Sequence, residues 1–104
     1  MGLIRKRYAD AAEQFAEALK LRADFALAAN NLGFVYFRQG RFAESARWLE
    51  TTLKIDPSRA VAYLNLGDAY AEGGDREKAR KAYSTYLELQ AQVSGAAQAQ
   101  LQSL

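Results

Sequence analysis

Residues 26–59 read ALAANNLGFVYFRQGRFAESARWLETTLKIDPSR, and residues 60–93 read AVAYLNLGDAYAEGGDREKARKAYSTYLELQAQV. Laid over each other at an offset of 34, nine positions are identical. They are Ala26, Ala28, Asn31, Leu32, Gly33, Tyr36, Gly40, Thr51 and Leu53, recurring as Ala60, Ala62, Asn65, Leu66, Gly67, Tyr70, Gly74, Thr85 and Leu87. Ordinary residue usage would give about two. Within each block the apolar residues fall at helical spacing in two runs. Ala28, Leu32, Val35 and Tyr36 form one stripe and Phe42, Ala46, Leu49 and Leu53 another; Ala62, Leu66, Ala69 and Tyr70, then Ala79, Tyr83 and Leu87, repeat them. Each block is therefore a pair of helices, and the chain is all-α.

The punctuation fits this register. Gly40 and Gly73-Gly74 stand where the first helix of each pair must end, and Pro57 stops the second helix of the first pair. Asp24 and Ser58, also 34 apart, are placed as N-caps. The spacing predicts helices near 4–22, 25–39, 42–54, 59–72, 76–91 and 95–103. Working backwards, Tyr8-Ala9-Asp10 aligns with Phe42-Ala43-Glu44, and Leu19-Lys20-Leu21 with Leu53-Lys54-Ile55. Residues 8–25 are thus half of an earlier block. Residues 94–104, with Ala97, Leu101 and Leu104 as their apolar stripe, read as a weak C-terminal capping helix. The organisation expected is one domain: 8–25 as a half repeat, 26–59 and 60–93 as full repeats, 94–104 as the cap.

Composition removes most chemistry. The 104 residues contain no Cys and no His, which excludes thiol nucleophiles and Cys-based metal sites and takes away the commonest metal ligand and general base. No enzyme activity, cofactor or metal is expected. The net charge of +2 rests on the adjacent Arg5, Lys6 and Arg7, so nucleic acid is not an expected partner, and the triplet reads as a solvated helix start. Neither a signal peptide nor a run of 18 apolar residues is present, so no membrane partner is expected and a cytoplasmic location is. A compact chain of this mass would expose about 5,800 Å².

Leu32-Gly33-x-x-Tyr36, then Gly40, Ser45-Ala46, Leu49, Leu53 and Pro57, resembles the tetratricopeptide repeat pattern. Tyr63, Leu66-Gly67, Tyr70, Gly74, Ala79, Tyr83 and Leu87 repeat the resemblance, and Ala11, Phe15, Ala18 and Leu19 extend it to a half repeat. Ala29, Ser45, Thr52, Tyr86 and Ala91 depart from the pattern at single positions. The resemblance implies helix-turn-helix repeats stacked in a right-handed superhelix, an α-solenoid whose concave surface is lined by the first helix of each pair. It also implies a scaffold that binds a protein or peptide ligand there. On that surface Leu27, Asn30, Asn31, Phe34 and Arg38 of the first repeat and Val61, Leu64, Asn65, Asp68 and Glu72 of the second are the candidate contacts.

An Asn amide offers both donors and an acceptor, so Asn31 and Asn65 suit an extended peptide backbone of any sequence. Phe34 adds an apolar wall, while Phe37 is expected to pack against a neighbouring helix. Trp48, Tyr83 and Tyr86 are expected as convex-side packing, and Asp10/Glu13 and Asp75/Glu77 as solvated helix-face charges. Such a groove suits a segment of about six to eight extended residues. The basic clamp by which some tetratricopeptide domains hold chaperone C-terminal carboxylates is not expected. Asn30 and Phe34 occupy its first two positions, Gly95 and Ala99 its last two, and only Asn65 matches. Residues 1–7 are too few to form the missing partner of the first helix, so a face carrying Tyr8, Ala12, Phe15 and Leu19 should be uncovered. Self-association into a homo-oligomer through that face is one alternative. A non-catalytic segment of a larger enzyme is another.

Overall fold

A computed structural model of the chain describes residues 2–103, and all structural statements refer to these; Met1 and the Leu104 expected in the terminal stripe lie outside them. Five helices follow one another: α1 (Gly2–Leu21), α2 (Ala26–Arg38), α3 (Phe42–Ile55), α4 (Ala60–Glu72) and α5 (Arg76–Gln102), with no strand among the described residues. Each helix packs on the next in sequence, and α2 meets α4 only slightly. The outcome is an elongated stack of 54 × 33 × 24 Å. Its accessible surface is 7279 Å², more than the compact expectation, because a solenoid buries area only between successive elements.

Two bare backbones let the helices of each pair close. A Cβ built on Gly33 would lie 2.8 Å from Leu49 Cγ, and one on Gly67 would lie 2.5 Å from Tyr83 Cε1. The α2–α3 crossing is pinned further by the buried Ser45, whose Oγ donates to the Gly33 carbonyl at 2.6 Å. Between the pairs, Ala46 and Leu49 of α3, Leu66 and Ala69 of α4 and Ala82 of α5 form the core, with Phe37, Leu53 and Tyr70 packed against it. The apolar stripes expected from the repeat are buried here except at the far end. Leu53 is half-buried, but its counterpart Leu87 is 64% exposed, because no helix among the described residues packs over it.

Both tight turns are the same turn. The Arg41 N–H donates to the Tyr36 carbonyl at 2.9 Å and the Asp75 N–H to the Tyr70 carbonyl at 2.9 Å, closing α2 and α4 with a glycine in the left-handed region (Gly40 φ 77°, Gly74 φ 89°). The expected N-caps are a different matter. α2 and α4 begin after Phe25 and Arg59, with no side-chain cap. Asp24 instead accepts from Arg22 Nε at 3.2 Å. Ser58 donates through Oγ (2.7 Å) and N–H (3.2 Å) to Asp56 Oδ1, an Asx-type turn that competes with capping. That hydroxyl holds the Asp56 carboxyl below its ordinary pKa. The residue that does cap is Asp75, which accepts from the Lys78 N–H at 3.1 Å ahead of α5.

A separate capping helix is not formed at the C-terminus. α5 runs unbroken through residues 91–95, and every described residue from 91 onward is exposed, so the segment covers nothing. Ala91 stands 34 after Pro57, and without that proline the helix has no reason to stop. At the other end no residue of α1 is buried. Tyr8, Ala12, Phe15 and Leu19 are half-buried, whereas Leu3 and Ile4 are 67% and 56% exposed.

Candidate functional site

α2 and α4 lie in equivalent places of successive repeats, so residues 34 apart recur along one face. Phe34, Asn65 and Asp68 meet there around a cleft of about 60 Å³, backed by Phe37, Ser45 and Leu49. Phe34 is 51% exposed, and Leu27 and Val61 on the same two helices are 47% and 46% exposed. Asn31 and Leu64 are half-buried and Glu72 is exposed. Phe37 packs edge-on against Phe42 of α3, ring centroids 5.3 Å apart, leaving Phe34 as the accessible aromatic.

Asn30, Arg38 and Glu72, three of the expected contacts, lie apart from this cleft. Asn30 is buried at 8% exposure, with Oδ1 lacking a hydrogen-bond partner. Arg38 is drawn towards α1, its Nε donating to the Tyr8 hydroxyl at 3.2 Å. Arg38 and Glu72 share a separate open depression of about 280 Å³ with Phe37, Gly40 and Phe42. Tyr8, one of the residues expected on an uncovered face, is therefore partly committed within the chain.

Tyr83 is the contributor that pattern reading assigned elsewhere. It packs against Gly67 and donates to Asp68 Oδ1 at 2.6 Å, so besides packing it holds a residue that lines the cleft. The bond to Asp68, with burial second, pushes the Tyr83 phenol up to about 12. A donor that keeps its proton to such a pH holds the Asp68 carboxylate in place at any physiological pH. The available signal was the pairing of a side-chain-free Gly67 with a large ring in place of Leu49. A second fixed tyrosine, Tyr70, donates to Glu50 Oε1 in a different cavity of about 280 Å³ between α3 and the α4–α5 turn. Burial, then Glu50, raises its pKa.

The tetratricopeptide repeat family model matches residues 24–92, and a second model described as TPR repeat matches residues 3–40. The chain belongs to the tetratricopeptide repeat family. No curated protein sequence matches it. Among solved structures, the crystal structure of MamA superposes with a TM-score of 0.83 at 27% identity over 89% of this chain. The tetratricopeptide chain described here spans about half of that one, 54%. The second TPR of Spaghetti (RPAP3) bound to HSP90 peptide SRMEEVD gives a TM-score of 0.78 at 21% identity, over 85% of this chain and 82% of that one. The first TPR of the same protein, bound to the same peptide, gives 0.78 at 21% identity, over 95% and 84%. No helix among the described residues is long and apolar enough to cross a membrane.

Proposed function

We propose that this chain is a protein-interaction module, not an enzyme, which docks a short extended segment of a partner along the groove between α2 and α4. The observation that carries the reading is the cleft in which half-exposed Phe34, Asn65 and Asp68 converge, flanked by exposed Leu27 and Val61. Phe34 supplies an apolar anchor, and burying area against it yields about 25 cal/mol per Å² before ordering costs. Asn65 supplies backbone hydrogen bonding. Asp68, held by Tyr83, takes a donor or cation from the ligand. Asn31 and Leu64 stand beside the cleft on the same two helices, while buried Asn30 contributes packing only.

The peptide-bound structures of the same fold support a peptide as the kind of guest. An acidic peptide such as the SRMEEVD they hold is not the guest proposed for this groove. Its cleft presents Asp68, and Gly95 and Ala99 are exposed on the unbroken continuation of α5, so among the described residues no third groove helix forms. Screening the chain on a peptide array, followed by calorimetry on the best binder, tests the reading. Phe34→Ala and Asn65→Ala are expected to weaken micromolar binding by tenfold or more. Undiminished binding in both variants would move the site off this surface.

Self-association is the second reading, favoured by α1, which buries no residue and exposes Leu3 and Ile4. Light scattering over a dilution series should then show a concentration-dependent mass that Phe15→Glu abolishes. A monomer at every concentration would end that reading.

A further inference from the structure

The basic triplet at the start of the chain is read from sequence as a solvated run, yet the fold separates its members. Arg5 lines an open pocket of about 460 Å³ together with Ile4, Tyr8, Arg38, Gln39 and Arg41. Three guanidiniums, one from α1 and two flanking the α2–α3 turn, are thus gathered around one pocket. The volume lies within the roughly 300–1,000 Å³ of ligand clefts. None of these residues lines the Phe34–Asn65–Asp68 cleft.

Their charges are unequally satisfied. Arg41 is neutralised by a two-pronged pair with Glu44 (2.8 and 2.7 Å) and is steadied over the Tyr36 ring, 4.7 Å from its centroid. Arg5 and Arg38 take part in no ion pair among the described residues. Glu72 shares a neighbouring depression with Arg38 without pairing to it. Arg38 is fixed through Nε by the Tyr8 hydroxyl, which leaves its two terminal nitrogens to a ligand. A guanidinium held in that way is suited to a two-pronged bond with a carboxylate.

The rest of the lining narrows the ligand. Ile4 is 56% exposed beside the guanidiniums, so the pocket sets cationic donors next to an apolar surface. A free phosphate gains nothing from that surface, whereas a peptide segment carries an acidic and an apolar side chain together.

We propose that this pocket is a second binding site, separate from the groove, which takes an internal acidic–apolar segment of a partner protein. A Glu or Asp carboxylate sits on Arg38 and Arg5, and a neighbouring apolar side chain on Ile4.

The probe is a fluorescein-labelled, C-terminally amidated octapeptide of alternating glutamate and leucine, followed by fluorescence anisotropy on the whole chain. Binding in the micromolar range is expected. Arg5→Gln and Arg38→Gln should each weaken it by tenfold or more, and Arg38→Lys, which keeps the charge without the fork, by several-fold. Lys6→Gln removes the same charge from a neighbouring residue that does not line the pocket, and it should change affinity less than twofold. Phe34→Ala, which tests the groove, should also change it less than twofold. Equal losses in Lys6→Gln and Arg38→Gln would reduce the site to diffuse charge and overturn the proposal. So would equal binding of a glutamine-for-glutamate peptide, displacement by inorganic phosphate at the peptide's own concentration, or loss of binding in Phe34→Ala alone.

Discussion

Tyr83 of α5 and Asp68 of α4 are joined by a 2.6 Å hydrogen bond that passes over the bare backbone of Gly67. One contact therefore ties the packing of the last helix pair to the position of a groove carboxylate. Removing the hydroxyl with Tyr83→Phe should cost about 1 kcal/mol at neutral pH, the value for a partly exposed bond to a charged group. The same variant should weaken groove ligands that use Asp68. Urea unfolding followed by circular dichroism measures the first effect, and calorimetry the second.

The alkaline limb of stability should carry the same signature. The Tyr83 pKa is raised from 10.0 to about 12 in the folded chain. A raised pKa means that the pair's stabilisation is fully present below pH 10 and is lost as the pH climbs towards 12. Tyr70 is raised as well, through burial and Glu50, so wild type should lose stability steeply over this window. Tyr83→Phe should lose it less steeply. Parallel curves for the two proteins between pH 9 and 11.5 would contradict the assignment.

The acid side has a local counterpart at the α3–α4 turn. The Ser58 hydroxyl, with smaller help from its N–H and Arg59, lowers the Asp56 pKa below 3.8. That contribution is present above pH 3.8 and disappears as the pH falls through the folded value. Ser58→Ala should shift the Asp56 carboxyl titration upward, towards the ordinary value, in a carbon-detected NMR titration. An unmoved midpoint would show that the hydroxyl is not the cause.

At Gly67 an added methyl gains helix propensity of up to about 1 kcal/mol but must displace the Tyr83 ring from 2.5 Å, and overpacking of this kind costs about 1–3 kcal/mol. Gly67→Ala should therefore lower the melting temperature by several degrees and release the Tyr83–Asp68 bond. Gly74→Ala is the complementary case. Nothing lies within 4 Å of its added Cβ, so any loss reports backbone strain at φ 89° alone, expected at about 1–2 kcal/mol. A neutral Gly67→Ala would mean that the pair relaxes freely.

The exposed end of α5 makes a stability-silent change testable. A chain ending at Gln92 should keep the melting temperature within about 2 °C, because every described residue from 91 onward is exposed. Its helical ellipticity should fall. A drop of many degrees would show that the segment packs on something in solution.

Where the structure departs from the pattern, it does so at positions whose partners lie outside the repeat. The register, the helix pairs, the turns at Gly40 and Gly74 and the buried stripe through Leu32, Leu49 and Leu66 were legible, since each depends on neighbours 34 residues away or closer. Asp24 and Ser58 were read as N-caps but bond elsewhere, because Arg22 and Asp56 compete for them at shorter reach. The helix after Ala91 was divided at Ser94-Gly95 on composition, although neither residue enforces a stop. Within the candidate groove, Phe34, Asn65 and Asp68 line one cleft, whereas the pattern did not separate Asn30, Arg38 and Glu72 from them.

Periodicity alone thus determined the architecture and the face on which helices α2 and α4 display their side chains, because backbone geometry turns a repeated spacing into a repeated stack. Tertiary structure alone decided which side chains share a space: Tyr83 with Asp68, Arg38 with Tyr8 and Arg5, and Asn30 with no partner for its oxygen. Those pairings depend on interhelical distances of a few ångströms and on how completely the end helices are covered. A spacing of residues along the chain carries neither quantity.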